Sequence, residues 1–240
     1  GQAGPGESDY TRYDRNIAAQ AQIWLREEAP KYQDKPWVLF VSMVAPHFPL
    51  TAPPEHFYRY ANRQLPMPKQ YAKVERPQHP HLADYSSTMN YDSHMKSEAD
   101  VRRALAGYFG LVSFMDEQVG KVMAALKETG LIENTRVLYT TDHGDNNGAR
   151  GLWGKSTMYE ESVGVPMILA GSDVPAGKVV TTPTNLVDVF ATALAAVGAA
   201  PAPSSGQSLF EIANAPDQDR IVLSEYHAAG SHEAIFMLQD

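Results

Sequence analysis

The sequence predicts an α/β fold in which a mostly parallel sheet is flanked by helices, and three observations carry that expectation. Short apolar runs rich in strand formers stand at residues 37–45, 137–141 and 165–170. A stripe at helical spacing, Leu105, Tyr108, Phe109, Val112, Met115, Val119, Val122, Met123 and Leu126, separates the first run from the second. Strand, helix and strand in that order imply parallel pairing with right-handed crossovers.

Taken in order, residues 13–28 have helical periodicity through Ile17, Ala21, Trp24 and Leu25, and a polar turn leads into the apolar run at Trp37. That run reads as a buried strand and ends in Pro46-His47-Phe48-Pro49 and Pro53-Pro54, a segment stiffened by its prolines. Residues 50–96 are rich in Pro, His and Tyr and weakly periodic, which reads as a substrate-facing or a flexible excursion. Ser97-Glu98-Ala99-Asp100 forms a capping box for the long helix, and Gly130 ends it. Thr157-Met158-Tyr159-Glu160 reads as a second capping box opening a short helix, whose first amides would favour an anion. Residues 165–170 then form the next strand.

Composition narrows the function. The 240-residue chain is 43% hydrophobic, long enough for a sizeable core. Its net charge of −8 argues against nucleic acid as a partner, because that binding rests on Lys and Arg contacts to phosphate. No apolar run approaches the roughly 18 residues of a membrane span. The chain contains 0 Cys, which leaves no disulfide or thiolate metal site within it.

The chemistry concentrates at residues 137–162. Val137, Leu138, Tyr139, Thr140 and Thr141 form a strand, and Asp142 emerges at its carboxyl end, where open α/β sheets hold their ligands. Asp142 and the adjacent His143 offer a carboxylate and an imidazole to one divalent cation. Gly144, Gly148, Gly151 and Gly154 let the following loop turn tightly around a ligand. Lys155 beyond them is a compact cation suited to a tetrahedral oxyanion. Asp145 either orients His143 or is simply solvated. His79, His81 and His94 lie in the long polar segment and read as exposed rather than as a metal cluster. His227, after the strand-like Val222-Leu223-Ser224-Glu225-Tyr226, is either a substrate contact or an exposed histidine. Asp116 interrupts the long helix and reads as a structural hydrogen-bonding group.

At Thr141-Asp142-His143-Gly144 and Gly154-Lys155-Ser156-Thr157-Met158-Tyr159-Glu160 the chain resembles the sulfatases of the alkaline phosphatase superfamily, including choline sulfatases and phosphonate monoester hydrolases. Pro46-His47-Phe48-Pro49 is similar to the family's H-x-P segment. Tyr108-Phe109-Gly110 through Asp116 to Val119-Gly120 is similar to its long helix, and with VDVFATALAAVG at residues 187–198 the likeness runs from Trp37 to about Phe210. The resemblance implies an alkaline-phosphatase-like sheet, metal ligation by Asp142 and His143, and sulfate contact by Lys155 and His47 as the catalytic groups. It implies that residues 1–212 belong to the catalytic domain. The end of the chain, with two strands in residues 221–240, suggests the start of a smaller C-terminal sheet subdomain at 213–240.

One departure matters. The family's nucleophile is a formylglycine made from Cys or Ser in C/S-x-P-x-R, and no residue here begins that pattern; Thr181-Thr182-Pro183-Thr184-Asn185 comes nearest but lacks the Arg. The expectation is therefore a sulfatase segment starting after its nucleophile and inactive when isolated. The resemblance favours calcium, while an imidazole ligand leaves manganese or zinc open. The expected partner is a small-molecule sulfate ester, with a homo-oligomer open and compartment and leaving alcohol unassigned. Tyrosines in residues 50–96 would suit a quaternary ammonium by cation–π contact. The alternatives are a phosphonate or phosphate ester hydrolase of the same superfamily, or a non-catalytic anion-binding subunit.

Overall fold

The computed structural model describes residues 3–32, 34–217, 219–227 and 233–240. The first helix, α1 (Asp9–Glu27), starts earlier than its apolar period suggests, because Ser8 and Thr11 form a reciprocal capping box that satisfies two of its free amides. Thr11, Asp14, Ala18, Ala21 and Leu25 are its buried stripe. The long helix, α4 (Glu98–Glu128), begins at the expected Ser97–Asp100 capping box, and Gly130 beyond it takes the left-handed conformation at φ 72°.

Two layers meet on α4. Its first half packs Val101, Ala104, Leu105, Leu111 and Phe114 against Leu50 and Ala52 of β2 (Leu50–Ala52) and Phe57 of α2 (Pro54–Ala61). Strand β1 (Ala3–Pro5) pairs parallel with β2. The approach is close enough that a Cβ on Gly107 would sit 2.2 Å from the Leu50 carbonyl oxygen. The second half contributes Ala125 and Leu126 to a cluster with Leu25 and Ala29, on which Trp24, Trp37, Leu39 and Val137 pack.

The buried stripe of α4 differs from the expected one. Leu105 and Leu126 are in the core, but Tyr108, Val112, Met115, Val119, Val122 and Met123 are only half-buried and Phe109 is exposed. Small residues take the tightest places, because β2 and α2 both press on the first half of the helix.

Residues 37–44 are extended with alternate residues exposed, and Phe40 is 84% exposed. Among the described residues they have no ladder partner, so the buried strand expected there is half-buried and unpaired. The strand β3 (Arg136–Thr140) forms as expected, but it pairs antiparallel with β4 (Met167–Gly171), which corrects the parallel pairing expected of these two strands. The connection explains it. Between them lies only the one-turn helix α5 (Glu160–Val163) and a loop that closes on itself, rather than a helix spanning the sheet face.

Residues 50–96 form regular elements with buried side chains. They hold β2, α2 and α3 (Pro80–Thr88), with Phe57 and Tyr85 buried. Arg76 donates to both oxygens of Asp92 at 2.9 and 2.9 Å, tying two turns of this segment together. The guanidinium holds the Asp92 carboxyl below the ordinary aspartate range. A lowered folded-state value gives stability that is present above about pH 3.9 and lost as pH falls through the folded value. Asp92→Asn is therefore expected to melt lower than wild type near pH 7, with the gap closing as pH falls through the lowered folded-state value. Thermal melts across that range check it, and a gap independent of pH would contradict the pairing.

Towards the C-terminus, α6 (Val187–Ala196) and α7 (Leu209–Asn214) follow, then an antiparallel hairpin of β5 (Val222–His227) and β6 (Ala234–Gln239), the two strands expected there. Residues 228–232 between them lie outside the described residues. Fully buried Asp188 accepts backbone N–H bonds from Asn185 and Gln207 and a charge-assisted bond from Arg220, joining α6 to both later segments. Among the described residues no helix is long and apolar enough to cross a membrane.

Candidate anion and metal site

The residues leaving β3 are folded back by their own backbone. Gly144 N–H donates to the Ser162 carbonyl at 2.7 Å, and a Cβ on Gly144 would lie 2.2 Å from the Glu161 carbonyl oxygen, so only glycine lets the loop lie against α5. Asn146, 1% exposed, joins the loop's two limbs: its backbone N–H and its side-chain amide both donate to the Gly154 carbonyl at 2.7 Å. Gly148, Gly151 and Gly154 take positive φ, as the glycine spacing suggests.

Thr157 does not cap α5. Its hydroxyl donates to Asn146 Oδ1 at 3.2 Å, and α5 has Tyr159 at its N-cap with no side-chain cap. This corrects the expected capping box. The helix is one turn long, and its first amides are not what would hold an anion.

Asp142 Oδ1 accepts from the His143 backbone N–H at 3.0 Å and the Thr141 hydroxyl at 3.2 Å, which leaves Oδ2 facing His143 Nε2 at 3.5 Å. His143 Nδ1 lies 2.8 Å from the Gly144 carbonyl, so this nitrogen carries the proton and donates, and Nε2 keeps its lone pair. A carboxylate oxygen and an imidazole nitrogen side by side suit one divalent cation, and the carbonyl-held Nδ1 fixes the ring for that role. The described residues hold no group of three or more His, Cys, Asp or Glu arranged for a metal, so the pair fits as part of a ligand set.

Lys155 sits between two residues of positive φ, Gly154 at 69° and Ser156 at 80°, and its carbonyl accepts from the Tyr85 hydroxyl at 3.4 Å. Its Nζ donates to His47 Nε2 at 2.9 Å, although the two residues are 108 positions apart. His47 Nδ1 in turn donates to the Phe48 carbonyl at 2.8 Å. The His47 ring lies 6.3 Å from that of His143. The structure thus brings His47, His143, Asp142 and Lys155 into one place.

Asp145 is a tether. Its Oδ1 accepts from the backbone N–H of Asn147 at 2.8 Å and of Gly154 at 3.0 Å, holding the residue just before Lys155. Burial pushes its carboxyl up against the pull of those two bonds. Arg150, buried and at φ 59°, pairs with Glu161 at 3.0 Å and covers the Tyr159 ring at 3.7 Å, fastening the loop to α5.

His227 is the last residue of β5. It is exposed on β5, pairs with Glu225 at 3.3 Å and meets Phe236 edge-on. Strand alternation turns its neighbour Tyr226 inward instead, with a buried hydroxyl. His79 caps α3 by accepting the His81 N–H, and His81 is buried rather than exposed as expected, because it lies on the same face as buried Tyr85.

Two contacts to the His47 turn were not anticipated from sequence. Asp14 of α1 accepts the N–H groups of Val44 and Ala45 at 2.8 Å each, and the Tyr10 ring meets that of His47 edge-on at 6.0 Å. The signal was available for Asp14: a carboxylate in the middle of an otherwise small and apolar helical stripe.

Comparison with known proteins gives the family and the fold class. The sulfatase family model matches residues 2–199. A choline-sulfatase of Rhizobium meliloti (strain 1021) is 30% identical over 247 residues, covering 99% of this chain and 48% of that protein. The chain thus spans about half the length of that curated relative. Among solved structures, a phosphonate monoester hydrolase from Silicibacter pomeroyi aligns with a TM-score of 0.70 at 27% identity, over 88% of this chain and 44% of that one. A structure solved with its substrate D-glucosamine-2-N,6-O-disulfate aligns over 98% of this chain and 59% of that one, with a TM-score of 0.76 at 19% identity, a likeness of fold alone. The expected α/β, alkaline-phosphatase-like class is borne out.

Proposed function

The chain belongs to the sulfatase family, and from that premise we propose that it serves the hydrolysis of sulfate monoesters, with Lys155 and His47 gripping the sulfuryl group. The observation that carries this reading is the 2.9 Å contact between Lys155 Nζ and His47 Nε2 beside the Asp142–His143 pair. The Nδ1 bond to the Phe48 carbonyl sets the His47 ring, and the Asp145 bond to the Gly154 amide sets the backbone beside Lys155. The ammonium protons that Lys155 does not give to His47 are preorganised donors for charge that develops on the transferring oxygens.

Asp142 and His143 would hold one divalent cation, calcium or manganese, which when bound supplies Lewis-acid stabilisation of oxygen charge. Asp142 contributes the hard oxygen donor that calcium prefers, and the His143 imidazole suits manganese at least as well. Lys155 neutralises the sulfuryl oxygens, and His47, accepting one ammonium proton at Nε2, aims the others at them. Asp145 and Asn146 keep the Lys155 limb of the loop closed over the site. None of the 240 residues is assigned as the nucleophile.

The likeness to a phosphonate monoester hydrolase supports a second reading, because tetrahedral sulfate and phosphonate esters share shape and differ in charge. Aryl sulfate, aryl phosphate and aryl phosphonate esters with one common leaving group separate the two. The sulfate ester is expected to have the highest kcat/KM in the metal-loaded enzyme, with chelation abolishing turnover. A preference for phosphonate would move the assignment to the second reading, and full activity without metal would overturn the role of Asp142 and His143.

A further inference from the structure

We infer that Asp14 is a positioning residue for the site: with Tyr10 one turn earlier on α1, it fixes the turn that presents His47 to Lys155. This rests on the reading of His47 as a sulfate contact. Asp14 bonds the amides of Val44 and Ala45, so its effect passes through His47.

The backbone it holds has no ladder bonds to fix it among the described residues. Residues 37–44 lack a ladder partner among the described residues, so the amides of Val44, at the end of the segment, and of Ala45, at the start of the turn, are held by Asp14 instead. Two residues later comes His47. Asp14 gives one oxygen to each amide, Oδ1 to Val44 and Oδ2 to Ala45, both at 2.8 Å. The two bonds together fix the rotation of the segment about its own axis, which one bond would not do. Tyr10, at i−4 from Asp14, contacts the His47 ring from the same helix face. The turn is closed on its other side by His47 N–H donating to the Val44 carbonyl at 3.0 Å and His47 Nδ1 donating to the Phe48 carbonyl.

The chemistry of the group supports a specific role. Asp14 is 0% exposed, and burial pushes its carboxyl up while the two backbone bonds pull it down. A buried carboxylate without an ion-pair partner is costly, and packing of α1 against α4 would be served as well by Ala, the choice made at Ala18 and Ala21 on the same stripe. What Asp supplies and Ala does not is a pair of acceptors spaced for two successive amides. Asn supplies one acceptor and turns an N–H donor towards the other amide.

The test compares wild type with Asp14→Asn, and with Ala18→Gly as a control that loosens the same helix without touching the turn. Three readouts are taken: thermal stability, the ring 15N resonances of His47, and affinity for inorganic sulfate. Asp14→Asn is expected to shift or broaden the His47 ring signals and weaken sulfate binding roughly tenfold, whereas Ala18→Gly lowers the melting temperature and leaves both unchanged. Unmoved His47 signals and sulfate affinity within twofold of wild type in Asp14→Asn would overturn the inference, as would an equal effect from Ala18→Gly. Should the variant not fold, amide exchange in the wild type decides: Val44 and Ala45 are expected to be protected well beyond residues 38–43, and exchange at a common rate refutes the clamp. If wild type fails to bind sulfate at all, the functional reading fails, while the His47 signals and amide exchange still judge Asp14.

Discussion

Lys155→Ala is expected to lower sulfate-ester turnover of the active enzyme by roughly a hundredfold or more, the scale of losing one preorganised oxyanion contact. The chain invests in this side chain. Ser156 next to it adopts φ 80°, a left-handed conformation that costs a non-glycine residue about 1–3 kcal/mol. Asp145 clamps the amide of Gly154 immediately before it. These features fix the backbone at a residue whose ammonium then reaches His47. Lys155→Arg is expected to recover only part of the loss, since a planar fork cannot take the place of a compact point charge in that contact. The fold should survive both changes, with melting temperature nearly unaltered. Turnover within a few fold of wild type in Lys155→Ala would remove the lysine from the mechanism.

The largest effect on stability is expected at Phe114→Ala, about 3–5 kcal/mol. Phe114 is fully buried at the point where α4, α2 and β2 meet. The Arg15 guanidinium stands 4.9 Å from its ring centre and the buried His56 ring 5.8 Å away, edge-on. Truncation leaves a cavity under both, and the protein around it cannot collapse, because Gly110 already brings α4 hard against Ala52 and Phe57. For a chain of this size the loss corresponds to a fall of roughly 6–20 °C in Tm. A calorimetric or circular-dichroism melt measures it, and a loss below about 1 kcal/mol would place the core elsewhere.

Phe114 also shows where the sequence is legible and where it is not. The existence of α4, its Ser97 cap and its Gly130 end follow from local chemistry, which the chain carries in a few adjacent residues. The buried face does not. Choosing large apolar residues at helical spacing selects Tyr108, Val112 and Met115, whereas the core takes Ala104, Gly107, Gly110, Leu111 and Phe114. Close approach of β2 favours small residues, and no local pattern announces a neighbour 50 positions away. The pairing of β3 with β4 was hidden for a similar reason: the direction of the return depends on how the loop closes through Asn146, Gly154 and Ser162, a tertiary matter.

The site was legible to the extent that chemistry clusters along the chain. Asp142, His143, the glycines and Lys155 lie within one short stretch, and His47 follows a strand-like run into a proline-stiffened turn. That His47 and Lys155 touch is a property of the fold alone. Asp14 and Tyr10 escaped notice because their partners are backbone amides and a ring far along the chain. His227 drew attention as a histidine at a strand end, yet strand alternation turns it outward and turns Tyr226 in.

The most direct test of the sulfate site is a titration of inorganic sulfate into isotope-labelled protein, following the ring nitrogens of His47 and His143 and the ammonium of Lys155. The site predicts that His47 and Lys155 shift together along a single saturable curve, and that Lys155→Ala abolishes the His47 response. Saturable sulfate binding that leaves both residues unmoved would contradict it.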